Sequence, residues 1–455
     1  MPTPLRSLDH WIAELAAGRT TSRALTERAL EAATGSGEAA ATFVAVHAEA
    51  ARATADAIDR QRAAGVPMPA LAGLPISIKD LFDEAGHVTR AGSAVLRDAA
   101  PAETDAPVVA RLRAAGAVIV GRTNMTEFAY SGLGLNPHHG TPRNPWDRAT
   151  GRIPGGSSSG AAVSVTDGMA LAAVGTDTGG SVRIPAALCG LTGFKPTARR
   201  VPIDGAVPLA PSLDSIGPLA PTVACCARLD AVLAGEAPRP TTPRPTASLV
   251  LALPRTLAFD EVDGPVAAAF DAARRALVDA GARVVEIDVP EFAELAAINR
   301  QGGFPAIEAW AWHARLIAER GDGYDPRVAA RIRRGSGVAA ADYIELLAAR
   351  RRWIAAVERR LAEAGADAFA MPTVPVVAPP IAPLEASDEA FGRTNLLILR
   401  NPTLVNFLDG CALSLPCHRD GDAPVGLMLA APGGHDARLL SIGAGVEATL
   451  RGARD

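Results

Sequence analysis

LAGLPISIKDLF, residues 71–82, alternates apolar and polar side chains along its length. Leu74, Ile76 and Ile78 fall on one face. Ser77 and Lys79 fall on the other, which is the period-two pattern of a β-strand. A helix-like stretch at 105–115 follows, and it leads into AVIVG at 117–121, which predicts a short buried strand. Because strand and helix alternate at this spacing, the sequence predicts an α/β layered sheet and not separate all-α and all-β domains.

The rest of the chain continues this alternation. Residues 1–65 are predicted to be helical, and Thr21 is a candidate N-cap there. The sharpest composition break is a proline-rich connector at 235–247. Beyond it, two strand patterns flank a helix, a helical pattern fills 304–365, and a closing helix is predicted at 436–449.

Composition excludes several classes of protein. The 455 residues are 48% hydrophobic and carry a formal net charge of −4, so nothing attracts nucleic acid or an anionic membrane in bulk. The N-terminus lacks the apolar centre of a signal peptide, and no apolar run approaches the roughly 18 residues of a membrane helix. Five cysteines match no zinc pattern. The sequence therefore predicts a reduced, cytoplasmic protein that needs no metal or cofactor.

Lysine is rare in this chain. Of the 45 basic residues only Lys79 and Lys195 are lysines, and all others are arginine. An arginine serves as well on a solvated surface, but its guanidinium is not deprotonated in proteins. Each lysine is therefore either present by chance in an arginine-rich composition or present because its amine has to lose a proton.

GTDTGGSVRIPAA, residues 175–187, contains the candidate nucleophile Ser181. Two glycines precede this serine and let successive backbone N–H groups turn into one concavity. Thr178, Gly179 and Gly180, with Ser181 itself, are therefore candidate oxyanion-hole donors. A flexible linker is the alternative, but the surrounding threonine, aspartate, valine, arginine and isoleucine are not linker residues.

A reactive serine needs a base within hydrogen-bond reach. None of the eight histidines has a sequence setting typical of a site, and each is predicted to lie on the surface or in a loop. GSSSG at 156–160 formally matches a nucleophile elbow, but no buried strand precedes it. Lys79 is the other candidate, and it needs a pKa lowered by about 3 units, or about 4 kcal/mol, which burial supplies. The adjacent Asp80 points to the opposite face.

Three segments in order, LPISIKD, GGSSSG and GTDTGGSVRIPAALCGLTGFKPT, resemble the amidase signature family. The resemblance runs from about Leu71 to Pro218 and resumes weakly over 401–449. It implies one large α/β/α domain with a mixed sheet of about eleven strands. On this basis 66–450 is the amidase domain, after an N-terminal helical segment at 1–65, and 290–400 is a variable helical region that forms the substrate pocket.

The resemblance also assigns roles to single residues. Ser181 is the expected nucleophile, Ser157 the bridging serine, typically held by a cis peptide bond, and Lys79 the general base. The supporting network that the resemblance implies consists of Ser159, Asp177 and Arg183. For the last two a purely structural ion pair is an equal alternative, and Lys195 is expected to be structural.

Three functions are compatible with these motifs. The first is a free-standing amidohydrolase that converts a small-molecule amide to an acid plus ammonia or amine, without nucleic acid or membrane partners. The second is an ammonia-donor glutaminase subunit of an amidotransferase, whose members usually carry glutamine where Ile184 stands and a Tyr-Asp-Gly segment that is absent here. The third is an inactive scaffold, against which the intact Lys79, Ser157 and Ser181 argue.

The substrate is less well defined by the sequence. The aromatic and leucine residues of the variable region are candidates for an apolar acyl pocket, or alternatively for helix core: Phe292, Phe304, Trp310, Trp312 and Leu316. Because no charged residue of the motif loops is assigned to the substrate, neutral amides are favoured. A homodimer is expected from the resemblance alone.

Overall fold

The computed structural model describes residues 5–35 and 37–452. Within them eleven strands are found: β1 Phe43–Val46, β2 Pro75–Lys79, β3 Val118–Thr123, β4 Ala172–Asp177, β5 Thr192–Lys195, β6 Ser215–Ala220, β7 Val250–Pro254, β8 Arg283–Ile287, β9 Ala368–Pro372, β10 Cys411–Pro416 and β11 Gly426–Ala431. They form one mixed sheet in the order β1-β3-β2-β4-β6-β5-β10-β11-β9-β7-β8. The sheet has the predicted number of strands.

The same residues contain sixteen α-helices: α1 Leu8–Ala16, α2 Ser22–Thr34, α3 Gly37–Thr42, α4 Ala48–Ala63, α5 Pro107–Ala114, α6 Ser159–Thr166, α7 Arg183–Cys189, α8 Val223–Ala234, α9 Gly264–Asp279, α10 Glu291–Ile298, α11 Gly303–Arg320, α12 Pro326–Arg333, α13 Ala340–Glu363, α14 Ile381–Ala386, α15 Asp388–Phe407 and α16 Asp436–Gly452. Thr21 caps α2 as predicted, since its side chain accepts a hydrogen bond from Ala24 N. No helix in the described part of the chain is long and apolar enough to cross a membrane.

Helices cover both faces of the sheet. Along β10 and β11, Leu413 and Leu429 belong to one core with α16, whereas Ala412 and Met428 belong to a second core with α13 and α15. Successive side chains of a strand point to opposite faces, so both faces of these central strands are buried. The predicted α/β/α layering is confirmed.

The N-terminal segment departs from the prediction of helix throughout 1–65. Residues 43–46 form β1, which pairs antiparallel with β3 at the edge of the sheet. The four residues FVAV are too short to show alternation, but their aromatic and β-branched side chains suit an extended edge. Residues 1–4 and 36 of the predicted segment lie outside the described residues, so the prediction for them stays untested.

The two faces of β2 decide where its lysine lies. Ile76 and Ile78 enter the large core on one side of the sheet. Ser77 faces the other side, where its Oγ lies 2.8 Å from Ser164 Oγ of α6. Lys79, two residues further on, therefore lies on the side of α6, as the alternation predicted.

Candidate active site

Lys79 ends β2 and is completely buried. Its Nζ lies 2.7 Å from Ser157 Oγ and 2.8 Å from Thr176 Oγ1. Burial lowers the pKa of this amine to about 7, although Asp177 and Asp214 act in the opposite direction. Neutral lysine is thus well populated near neutral pH, which is the state a general base requires.

The carboxylate adjacent to Lys79 in the sequence does not compete for its amine. Asp80 accepts a hydrogen bond from Arg122 Nε at 2.9 Å and another from Gly92 N at 3.1 Å. Its Oδ atoms are thereby held by partners on the other face of the sheet. This is the arrangement that the sequence predicted from the alternation of β2.

Ser157 lies in an irregular loop, and the peptide bond between Gly156 and Ser157 is cis. A Cβ at Gly156 would lie 2.5 Å from Gly134 N, so only glycine fits there. Thr126 N donates to Ser157 O at 3.0 Å and fixes the loop. No strand directly precedes this described loop, which confirms that the nucleophile-elbow match of GSSSG is accidental.

Ser181 lies between a strand and a helix. β4 ends at Asp177 and α7 begins at Arg183, so the serine occupies the short connection. Gly180 has φ +125°, and a Cβ there would lie 2.5 Å from Pro402 Cβ. The glycine before the nucleophile is therefore required both by conformation and by space.

A buried network lies directly under this connection. Asp177 accepts hydrogen bonds from Arg183 Nη2 at 2.8 Å and from Asn406 Nδ2 at 2.9 Å. Arg183 also donates to Asn406 Oδ1 at 2.6 Å. Burial alone raises the pKa of Asp177, but the charge and hydrogen bonds of Arg183 outweigh it and hold the pKa well below its usual range.

The ion pair has a structural role that reaches the nucleophile. Asp177 Oδ1 accepts from Gly180 N at 2.9 Å, so the carboxylate fixes the residue immediately before Ser181. That bond also occupies one of the four predicted oxyanion donors, because a backbone amide has a single N–H. Thr178 and Gly179 line the cavity beside Ser181. The site geometry therefore favours their N–H groups, with that of Ser181, over Gly180.

Ser159 lies apart from this network. It begins α6, and its Oγ is 3.5 Å from Asn124 O, too long for a strong hydrogen bond. Ser158, its neighbour, donates to Thr176 O at 3.3 Å and so contacts the strand beside Lys79. Ser158 is thus the serine that contacts β4, and the supporting role expected for Ser159 stays a prediction.

Ser181 opens onto a cavity of about 420 Å³, a volume typical of small-molecule sites. The wall is mostly apolar, and α15 supplies one side of it: Asn395, Leu396, Leu399, Arg400, Thr403, Leu404 and Phe407. Thr403 Oγ1 lies 3.4 Å from Gly179 O, which joins this helix to the nucleophile loop. The rest of the wall comes mainly from α10, α12 and the loops after β3 and β5.

Most of the aromatic residues predicted for the pocket lie elsewhere. Phe292 lines the cavity, but Phe304 is fully buried in the core against Tyr343 and Phe407. Trp312 is 40% exposed on the surface. Trp310 and Leu316 pack against the large core, and neither lines the cavity. The sequence pattern marked helix residues with apolar side chains, but it did not show which face of α11 meets the substrate.

Three arginines line the cavity: Arg331, Arg334 and Arg400. The expectation of neutral amides rested on the motif loops, and these cations come from the variable region. The argument for neutral substrates considered only the motif loops, so it is wrong for the whole cavity, whose wall includes these three arginines.

No histidine, of the eight in the described residues, lines the cavity. His313 corrects the prediction that all lie on the surface or in loops, since it is fully buried in α11 with Nδ1 2.9 Å from Tyr324 Oη. Lys195 donates to the carbonyl oxygens of Pro196 and Gly410 at 2.8 and 2.7 Å, and burial lowers its pKa to about 8. It ties β5 to the loop before β10, as expected of a structural residue.

Sequence reasoning missed Thr176, Asn406 and the arginines. Asn406 belongs to a segment that resembles the family pattern, but nothing local indicates that it reaches Asp177, 229 positions away. Thr176 stands close to the nucleophile in the sequence, and its position one residue before the end of β4 is the signal that places it next to Lys79.

Known proteins match this chain both in sequence and in fold. The sequence profile of the family named Amidase matches residues 24–440. The chain is 38% identical to a 2-amino-5-chloromuconic acid deaminase of Comamonas testosteroni, covering 88% of this chain and 86% of that protein. It is 35% identical to a glutamyl-tRNA(Gln) amidotransferase subunit of Chloroflexus aggregans, covering 94% and 93%. A crystal structure of an amidase superposes with a TM-score of 0.87 at 32% identity, covering 97% of this chain and 99% of that one.

Proposed function

The chain belongs to the amidase family and is a hydrolase of carbon–nitrogen amide bonds, and we propose that Ser181, Ser157 and Lys79 are the residues that perform this hydrolysis. The observation that carries the proposal is the buried, hydroxyl-bound lysine. Its Nζ lies 2.7 Å from Ser157 Oγ, with a pKa of about 7. The structural Lys195 also has a lowered pKa, but its Nζ donates to backbone carbonyl oxygens, whereas Lys79 contacts two side-chain hydroxyls.

We propose the following acylation step. Ser181 Oγ attacks the amide carbon while its proton passes to Ser157, and the Ser157 proton passes to neutral Lys79. The tetrahedral intermediate then collapses: the C–N bond breaks, and the proton returns from the lysine through Ser157 to the departing nitrogen. Ammonia or an amine leaves, and the acyl group stays on Ser181.

Deacylation reverses the roles. Water attacks the ester carbon, the same relay takes its proton, and Ser181 leaves with a proton restored to its oxygen. The N–H groups of Thr178, Gly179 and Ser181 stabilise the oxyanion in both halves of the reaction. Asp177 holds Gly180, and thereby the loop, in the required conformation.

The cavity supports a small substrate. Its volume of about 420 Å³ lies within the range of small-molecule sites. The relative from Comamonas testosteroni is named for a small amino-substituted chloromuconic acid, which agrees with this size. We infer a small amide or related C–N compound whose acyl part occupies the apolar wall.

A glutaminase subunit is the second candidate, because of the 35% identity to the amidotransferase component from Chloroflexus aggregans. At the position where glutamine is expected, Ile184 packs in an apolar cluster with Leu133 and Ile398, and carries no polar group. This observation favours the free-standing hydrolase.

The test is release of ammonia or amine from a panel of aliphatic, aromatic and indolic amides, ureas and anilides, with glutamine included. Lys79→Ala serves as the blank. Release from a subset of the panel that is lost in the variant supports the free-standing amidase. Release from glutamine alone, stimulated by partner proteins, supports the second candidate. Folded protein that releases nothing from the panel contradicts the free-standing amidase.

We also propose a reducing, cytoplasmic location and a cofactor-free site. In support, none of the five cysteines, all within the described residues, is in a disulfide, and all are buried. The homodimer stays a prediction.

A further inference from the structure

We propose that the substrate of this amidase carries an anionic group, a carboxylate on the acyl part, which Arg331 and Arg334 bind on the cavity wall. The proposal deepens the function given above and rests on it. It assigns the substrate class: half-amides of dicarboxylic acids and compounds of the same charge pattern.

Arg331 is held in place without a salt bridge. Its Nη1 donates to Tyr130 O at 2.6 Å, and its guanidinium lies 4.9 Å from the centre of the Phe391 ring. A guanidinium has five N–H donors, so this contact leaves further donors for a ligand. Within the described residues no carboxylate forms a salt bridge with Arg331 or with Arg334, the next arginine on the cavity wall.

One carboxylate does act on Arg331 from a distance. Asp325 raises the pKa of this arginine through its charge, against the larger effect of burial. Its Oδ1 is engaged elsewhere, because it accepts from Arg327 N at 2.8 Å and so caps the start of α12. Asp325 therefore offsets part of the local positive charge but leaves the guanidinium of Arg331 free to bind a second anion.

Two nearby arginines outside this pair have acidic partners in contact. Arg327, one turn before Arg331, contacts Asp388 at 2.7 Å. Arg360 on α13 contacts Glu291 at 3.1 Å. The third arginine of the cavity, Arg400, donates its Nε to an amide oxygen of the adjacent asparagine at 3.1 Å. None of the three cavity arginines has a salt bridge within the described residues, and Arg331 and Arg334 are the two whose charges act on each other.

The positive charges of Arg331 and Arg334 both act on the Tyr130 hydroxyl. Burial raises the pKa of the Tyr130 hydroxyl, and the charges of Arg331 and Arg334 both oppose this shift. Burial is likewise the largest cause that lowers the pKa of Arg331, and the charge of Arg334 acts in the same direction. The two cations one helical turn apart repel each other, and Arg331 also loses hydration through burial, so a bound anion reduces both costs.

The remaining wall of the cavity is mostly apolar. It includes the leucines of α15 with Phe292, Leu209 and Leu213. A substrate with an amide at one end, a hydrocarbon spacer and a carboxylate at the other matches this distribution. Charge-assisted, bidentate hydrogen bonds to arginine would fix the orientation of the amide at the nucleophile.

The experiment compares pairs of amides of equal chain length, the monoamides of succinic, glutaric and adipic acid against neutral amides with a terminal methyl group. The measured quantity is the ratio of kcat/KM for the acid to kcat/KM for the neutral amide. Wild type is expected to prefer one half-amide. Arg331→Gln and Arg334→Gln should each lower that ratio by about 10- to 100-fold, mainly through KM.

Arg333→Gln is the matched control, because Arg333 is an exposed arginine on the same helix that does not line this cavity. It should leave the ratio unchanged. Arg334 is exposed, so its variant tests the proposal even if Arg331→Gln fails to fold. Equal turnover of both members of each pair, with a ratio insensitive to the arginine variants, overturns the anionic-substrate proposal and leaves the amidase standing.

If no amide is hydrolysed, a binding measurement tests the carboxylate subsite separately from the hydrolytic function. Calorimetric titration of Ser181→Ala with succinate, glutarate and adipate measures the subsite without turnover. Dicarboxylate affinity that falls at least tenfold on adding Arg331→Gln, but not Arg333→Gln, supports the subsite while the hydrolytic function fails. Affinity that is the same with and without Arg331 overturns the subsite.

Discussion

Lys79 determines the pH dependence that the site should show. With a pKa of about 7 in the folded protein, the amine is about one-tenth neutral one pH unit below that value and about nine-tenths neutral one unit above it. The base must be neutral to accept a proton, so kcat/KM for a neutral amide should rise about tenfold per pH unit on the acid limb and level off above about pH 8. A neutral substrate does not titrate in this range, so the pH dependence of kcat/KM reports the enzyme alone.

The same pKa predicts a stability effect that needs no activity. The unfolded lysine has the ordinary value of 10.5, so between about pH 7 and 10.5 the unfolded state binds the proton that the folded state has lost. Stability therefore rises with pH in this window, and linkage gives a gain of about 2 kcal/mol between pH 7 and pH 9. Below the folded pKa both states are protonated and the slope disappears.

The assay is urea denaturation of wild type and Lys79→Met at both pH values. Methionine keeps the apolar stem and removes the titrating amine, so the variant should lack the gain of about 2 kcal/mol that wild type shows. An equal change in wild type and variant would refute the reasoning, because it would mean that Lys79 keeps an ordinary pKa in the folded protein.

Four further substitutions test the rest of the site. Ser157→Ala should lower kcat by about 10²- to 10⁴-fold, since it interrupts the proton relay, and an unchanged kcat would contradict that role. Gly180→Ala should lower kcat by about 100-fold or more, because the added methyl would lie 2.5 Å from a proline carbon of α15, whereas Gly392→Ala has open space and should not. Asn406→Ala should lower the free energy of unfolding by about 3 kcal/mol, since the buried ion pair loses two hydrogen bonds, and full stability would contradict this. Lys79→Arg should be as damaging in steady-state kinetics as Lys79→Ala, because arginine keeps its proton, and substantial activity would contradict the base assignment.

The sequence predicted those features that are local. Alternation along β2 determined which face carries Lys79, and of the two glycines before Ser181, Gly180 has the conformation that a side chain prevents. Both follow from rules that act over a few residues, so the packing of distant segments does not change them. The layered sheet followed from the spacing of such strands and helices.

The features that the sequence did not predict depend on contacts between distant segments. Asn406 reaches Asp177 only because α15 crosses the end of β4, and no local pattern encodes that crossing. The pocket was assigned to aromatic side chains because helical periodicity marks a buried face without showing what covers it. Phe304 is buried by other aromatics, whereas Arg331, which had no apolar signature, lines the cavity.

The edge strand β1 illustrates a third cause. Four residues are too few for a period-two pattern to stand out between two helices, and pairing with β3 decides their conformation. Gly180 is a further example. In the folded loop its N–H donates to Asp177, so it is not available to the oxyanion as the sequence suggested.

The measurement that tests the central claim most directly is covalent labelling of the intact protein with a fluorophosphonate, followed by mass spectrometry of its peptides. The account predicts one adduct, on Ser181, that is absent in Ser181→Ala and slowed in Lys79→Ala because the relay no longer removes the serine proton. A label on another residue, or undiminished labelling in Ser181→Ala, would contradict the assignment of Ser181 as the nucleophile.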